Sequence, residues 1–184
     1  QQRVAVAVEV GLADELAEDV VGKAVALALS KPVRRLSEDD SKLAAAKACD
    51  EIMAVRIPET AVKLRRIMNF GQIIQSHALS FFHLSSPDLL FGFDADPAVR
   101  NIIGVARANP GLARDGIGLR KWGQQIIEWV AGKRIHPEGI VPGGVAWPLT
   151  AEVRDRILAG VPEAIASVER AIAYELERHV RVLE

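Results

Sequence analysis

A chain of 184 residues with 49% hydrophobic and 26% charged residues has a globular balance, with room for one sizeable core or a compact pair, which excludes a disordered polypeptide. Its 23 Lys and Arg against 24 Asp and Glu leave a formal charge of -1, so no net field gathers nucleic acid or an anionic membrane. The longest apolar stretch, residues 20–29, is interrupted by Lys23 and falls short of the about 20 apolar residues that span a bilayer.

In chain order, Val4, Val6, Val8 and Val10 alternate with small or polar residues, the pattern of a short strand over residues 3–10. A lone strand needs a partner, so this one is expected to pair with another chain or with a sheet outside this sequence. Ala, Leu and acidic residues at helical spacing predict a helix over 12–30, stopped by Lys31-Pro32. Residues 37–41 read as an acidic loop, and the Ala-rich run 43–53 as the helix it enters. The helix from Pro58 to Leu84 is the longest predicted. Leu64, Ile67, Gly71, Ile74, Ala78 and Phe81 form a seam along it, with Gly71 and Ala78 permitting close approach of a second helix.

Ser86-Pro87-Asp88 ends that segment, a short helix runs from Asp96-Pro97 to Asn109-Pro110, and another covers about 112–131 with Leu119, Trp122, Ile126 and Trp129 as its stripe. Three prolines and four glycines make 132–148 an extended loop of the kind that often carries function. Thr150 caps a final amphipathic helix from Ala151, interrupted or kinked at Pro162. The fold class is therefore mainly α, a long-helix bundle with one short N-terminal strand. It divides into a strand-helix segment over 1–42 and a helical domain over 43–184.

The site chemistry readable from residue types is sparse. The single cysteine, Cys49, excludes an intrachain disulfide and any self-contained multi-cysteine zinc or iron-sulfur site, and suits a reducing compartment, the cytoplasm. His77, His83, His136 and His179 are scattered without metal spacing. Gly116-Ile-Gly118 lies inside a helical pattern with no strand before it, so it is not a phosphate-cradling loop. No catalytic, cofactor-binding or metal-binding residue is assigned. The candidates for a site or interface are His77, on the seam helix beside Ile74, Ala78 and Phe81, and His136 with Pro142, Gly143 and Gly144, where glycines let backbone approach a neighbouring subunit. A hydrogen-bonded core histidine and a plain turn are the corresponding structural alternatives. The charges of Arg34, Arg35, Glu38, Asp39 and Asp40 read as solvated surface, and Trp122 and Trp129 as core or interface.

Three blocks resemble a known family. The first is Leu43-Ala-Ala-Ala-Lys-Ala-Cys-Asp50, with Thr60-Ala-Val-Lys-Leu-Arg-Arg66 and Gly71-Gln-Ile-Ile-Gln-Ser-His-Ala-Leu-Ser-Phe-Phe-His-Leu-Ser-Ser-Pro-Asp-Leu-Leu90. The second joins Asp96-Pro-Ala-Val-Arg-Asn101 and Ala108-Asn-Pro110 to Leu119-Arg-Lys-Trp-Gly-Gln-Gln-Ile-Ile127. The third is Gly132-Lys-Arg-Ile-His-Pro137 with Val141-Pro-Gly-Gly-Val145 and Pro148-Leu-Thr150. Together, from about residue 43 to 174, they resemble the central portion of the large subunit of nickel-iron hydrogenases, most closely the NAD-reducing bidirectional type.

The resemblance implies a nickel-iron centre held by two Cys-x-x-Cys pairs, since thiolates suit those metals. Hydrogen would be split there heterolytically, and electrons would pass to NAD through a small subunit with an iron-sulfur cluster and a diaphorase module. This sequence has neither cysteine pair: the positions of the family's first pair and the histidine after it fall on Arg34, Ser37 and Ser41. Two readings stay open. In one, the chain is part of a hydrogenase large subunit whose metal-bearing segments lie elsewhere; in the other, it is a cysteine-free, non-catalytic structural or assembly subunit of the same fold lineage.

Overall fold

The structure, a computed structural model, describes residues 38–183, with side chains from 43 to 175. The expected strand at 3–10, the helix at 12–30, and Arg34 and Ser37 lie outside the described residues.

Helix α1 spans Glu38–Ile52 and so begins before Leu43, within the stretch expected to be a loop. Glu38, Asp39 and Asp40 are the first three residues of this helix. Helix α2 spans Glu59–Ala78 with Pro58 at its N-cap. Between them Ala54 has φ 50°, a left-handed conformation unusual for a residue with a Cβ.

The predicted single helix to Leu84 is instead two. After Ala78 the chain widens into a π-helical segment, Leu79–Ser85, and then resumes as α3, Ser86–Phe91. The extra residue of the wide turn seats Phe82 on the bare backbone of Gly116. The Ser86 hydroxyl donates to the Phe82 carbonyl across the junction. Helix α4 spans Ile102–Ala108 and starts later than Asp96-Pro97 suggested. Asn101 is the cap, its side-chain oxygen accepting from the amides of Ile103 at 3.0 Å and Gly104 at 3.1 Å, while Asp96 accepts from Ala98 N at 2.8 Å in a turn.

Helix α5, Pro110–Ala131, begins with proline in its first turn, where the missing N–H costs nothing; Asn109 accepts from Leu112 N at 3.0 Å. Helix α6 spans Ala151–Leu183 and is capped by Thr150, whose hydroxyl accepts from Val153 N at 3.2 Å. It runs through Pro162 without interruption. Pro162 is exposed, so solvent can satisfy the carbonyl that its missing N–H leaves open.

The core lies where α2 crosses α5. Gly71 and Gly123 meet there: a Cβ on Gly123 would sit 2.7 Å from the Gly71 carbonyl oxygen and 2.8 Å from Gln75 N, so only glycine allows this approach. On one side of the crossing Leu64, Ile67, Met68, Ile126, Ile127 and Val130 pack with Val145, Leu149 and Ile157. On the other, Ile74, Ala78, Phe82, Leu90, Val105 and Leu119 pack with Ala171. The predicted seam is thus closed: Leu64, Ile67, Gly71, Ile74 and Ala78 are buried and Phe81 is partly so. Trp122 and Trp129 are half-buried against this core. The mainly α fold class holds, and no helix among the described residues is long and apolar enough to cross a membrane.

The stretch 132–148, expected to be an extended loop, contains a small antiparallel hairpin: β1, Ile140–Val141, pairs with β2, Gly144–Val145. Pro142 and Gly143 occupy its two-residue turn. Gly143 has φ 83°, the positive value that the second central position of a type II turn requires after proline.

Candidate functional site

The hairpin turn rests on two charged side chains buried at the junction of α1 and α2. Asp50, in the last turns of α1, is 4% exposed, and Arg65, on the inward face of α2, is 3% exposed. Arg65 Nη1 donates to Asp50 Oδ2 at 2.6 Å, and Nη2 lies 3.5 Å from Oδ1. The rest of the guanidinium faces the hairpin, with Nε donating to Gly144 O at 3.1 Å and Nη2 to Val141 O at 2.7 Å. The Gly143 amide donates to Asp50 Oδ1 at 2.6 Å. The planar donor fork of arginine fits this set, which a lysine's point charge would not reproduce.

The Arg65 hydrogen bond holds the Asp50 carboxyl below the usual aspartate range; burial opposes this, and the Gly143 amide adds to it. Asp50 is therefore anionic and fully engaged. The arrangement can fix a helix end and a turn in place, and it offers no free base or nucleophile.

The structure connects Pro142, Gly143 and Gly144 to this pair but does not bring the two candidate histidines to it. His77 lies twelve residues beyond Arg65 on the same helix, about 18 Å along the axis. It is half-buried, with Nδ1 2.8 Å from the Ile73 carbonyl one turn back. His136 is exposed, with φ 53°, in the stretch before β1. Asp50 and Arg65 lie inside the first resembling block, and sequence reasoning gives them no role. Each interrupts an otherwise small or apolar spacing: Leu43, Ala46 and Asp50 on α1, and Ala61, Arg65 and Met68 on α2.

Elsewhere, a groove of about 610 Å³ runs between α5 and α6 over Gly118, Leu119, Trp122 and Gly160. At its rim Arg170 pairs with Asp115 at 2.8 Å and Glu163 at 2.7 Å.

The donor set does not fit a nickel-iron centre. The one cysteine, Cys49, is exposed on α1, and among the described residues no three His, Cys, Asp or Glu side chains gather as metal ligands. No step through such a centre can be built on these residues.

No protein-family model matches the chain. Over 130 residues it is 48% identical to a subunit of the vhu F420-non-reducing hydrogenase of Methanocaldococcus jannaschii, covering 71% of this chain and 31% of that protein. Over 138 residues it is 43% identical to the beta subunit of the NAD-reducing hydrogenase HoxS of Cupriavidus necator, covering 72% of this chain and 28% of that one. Among solved structures, a chain of an NAD+-reducing NiFe hydrogenase in the H2-reduced state superposes with a TM-score of 0.70 at 50% identity, covering 74% of this chain and 30% of that chain. The chain thus spans about three-tenths of the length of the relatives it matches. Shared sequence and shared backbone together place it in the family of nickel-iron hydrogenase large subunits.

Proposed function

We propose that this chain is a portion of a cytoplasmic nickel-iron hydrogenase large subunit that catalyses reversible H2 oxidation, coupled to NAD through partner iron-sulfur subunits. The observation that carries this is the 50% identity and 0.70 TM-score to a chain of an NAD+-reducing enzyme. In this reading the residues here supply the scaffold. The α2 and α5 crossing holds the body rigid, and the Asp50 and Arg65 pair sets the Pro142–Gly144 turn. That turn and His136 face the small subunit that carries the iron-sulfur cluster, and a diaphorase module completes the path to NAD. The metal centre would be held by segments other than those described.

Two observations favour a second reading, a non-catalytic structural or assembly subunit of the same lineage without the metal-binding cysteines. The seam from Leu64 to Ala78 is already covered, and Cys49, exposed on α1, is the chain's one thiol. Intact mass, metal content and H2-dependent NAD reduction of the natively purified protein separate the two. A mass well above 19.9 kDa with nickel and iron bound and NAD reduced under H2 supports the hydrogenase. A mass of 19.9 kDa without metal or activity overturns it in favour of the scaffold.

A further inference from the structure

The contacts that hold α1 differ in kind from those that hold the other long helices. Of residues 43–52 only Ala46 and Asp50 are buried, while Ile52 is 84% exposed and the adjoining Met53 60%. Over these residues the apolar contact is small, the buried Ala46 methyl with the half-buried Leu43. The hairpin is short, with two residue pairs, Ile140 with Val145 and Val141 with Gly144, too few for a ribbon to persist by itself in water. Val145 anchors its far end in the apolar core, while the Pro142–Gly143 turn has no such anchor among the buried residues. What the two weak elements share is one pair of side chains. Asp50 is part of α1 and accepts the Gly143 amide; Arg65 is anchored in α2 and donates both to Asp50 and to the carbonyls of Val141 and Gly144.

We infer that Asp50 and Arg65 form a latch through which α1 and the Pro142–Gly144 turn are held to α2 as one unit, so that helix and turn open and close together. Breaking the carboxylate's bonds removes the charged contact of α1 with α2 and, in the same event, the partner of the Gly143 amide. The turn then keeps two carbonyl contacts to Arg65 but loses the tie to α1. The α2 and α5 crossing, built on Ile126, Ile127 and the two glycines, makes none of these polar bonds, and Val145 at the far end of β2 stays packed against it. The unit is therefore a separate, less stable cooperative element. The inference stands on geometry within this chain and does not depend on which function is correct.

Amide hydrogen exchange on the full chain tests it. The Gly143 amide, bonded to Asp50 Oδ1, reports the turn; the Met53 amide, bonded to Cys49 O, reports α1; the Ile126 and Ile127 amides report the crossing. In Asp50→Asn, which keeps the shape and loses the charge, Gly143 and Met53 are expected to exchange faster together by about ten- to a hundredfold, the range for losing a charged hydrogen bond, with Ile126 and Ile127 unchanged. Acceleration of one reporter without the other, or equal acceleration at all four, overturns the inference. If the variant does not fold, exchange of the unaltered chain across a urea series decides. One shared opening isotherm for Gly143 and Met53, below that of Ile127, supports the latch, and two distinct isotherms defeat it.

Discussion

The two faces that α2 presents to the rest of the molecule are closed by opposite means. Toward α5 it presents Gly71, with no side chain, to Gly123 of α5, and lets backbones touch while Met68 and, from α5, Ile126 and Ile127 fill the flanks. Toward α1 and the hairpin it inserts a large charged side chain, Arg65, and every bond that side chain makes is to a chemically specific partner. The first contact is broad and apolar, tolerant of small losses at any one atom. The second is concentrated in a few atoms, strongly directional, and costly to leave half-made.

This contrast can be broken from either side. The largest effect is expected from Arg65→Met, which leaves Asp50 buried without its counter-charge and should lower stability by about 3–5 kcal/mol in urea unfolding at neutral pH. Its pH dependence should also change sign. In the unaltered protein the folded-state carboxyl titrates below the usual aspartate value of about 3.9. Its contribution is therefore complete above that value and is lost as pH falls through the folded one. Without Arg65, burial dominates and raises the carboxyl, so the variant should regain stability on mild acidification, where the unaltered chain gains none. A variant that weakens in parallel with the parent would show that the pair is not the source of the pH response.

A smaller loss is expected from Gly123→Val. Added atoms would overlap the Gly71 carbonyl, and overpacking of this kind costs about 1–3 kcal/mol. Its thermal midpoint should fall with no change in acid sensitivity, which distinguishes it from the charged face. The smallest effect has the opposite sign. Ala54 sits at φ 50° between the two helices that the latch joins, so Ala54→Gly should stabilise the chain by about 1 kcal/mol, measured by the same urea midpoint. No gain would mean that this connection carries no strain.

These faces also differ in how far the sequence reveals them. The apolar crossing was legible because its information is local: Leu64, Ile67, Gly71, Ile74 and Ala78 repeat at helical spacing, and all five are buried. The hairpin turn was legible as a place of interest, since Pro142, Gly143 and Gly144 announce a turn by type alone, but its strands were too short to leave a period. Asp50 and Arg65 went unnoticed because their meaning is not local. They are 15 residues apart, and their backbone partners lie 76 to 93 residues away, a separation that no window of periodicity spans. The clue present was the charge itself, set at spacings where each helix otherwise turns small or apolar residues inward. The π segment was equally hidden, because the run Leu79–Ser85 has no proline or glycine to mark it.

That segment has a consequence for how the gene can vary. A five-residue turn carries one residue more than an α-helix needs, so the widened stretch Leu79–Ser85 is a place where a codon could be deleted and the helix closed up. Phe82 would lose its seat on Gly116, while the phase of α2 before Ala78, and with it the crossing against α5, would stay as it is.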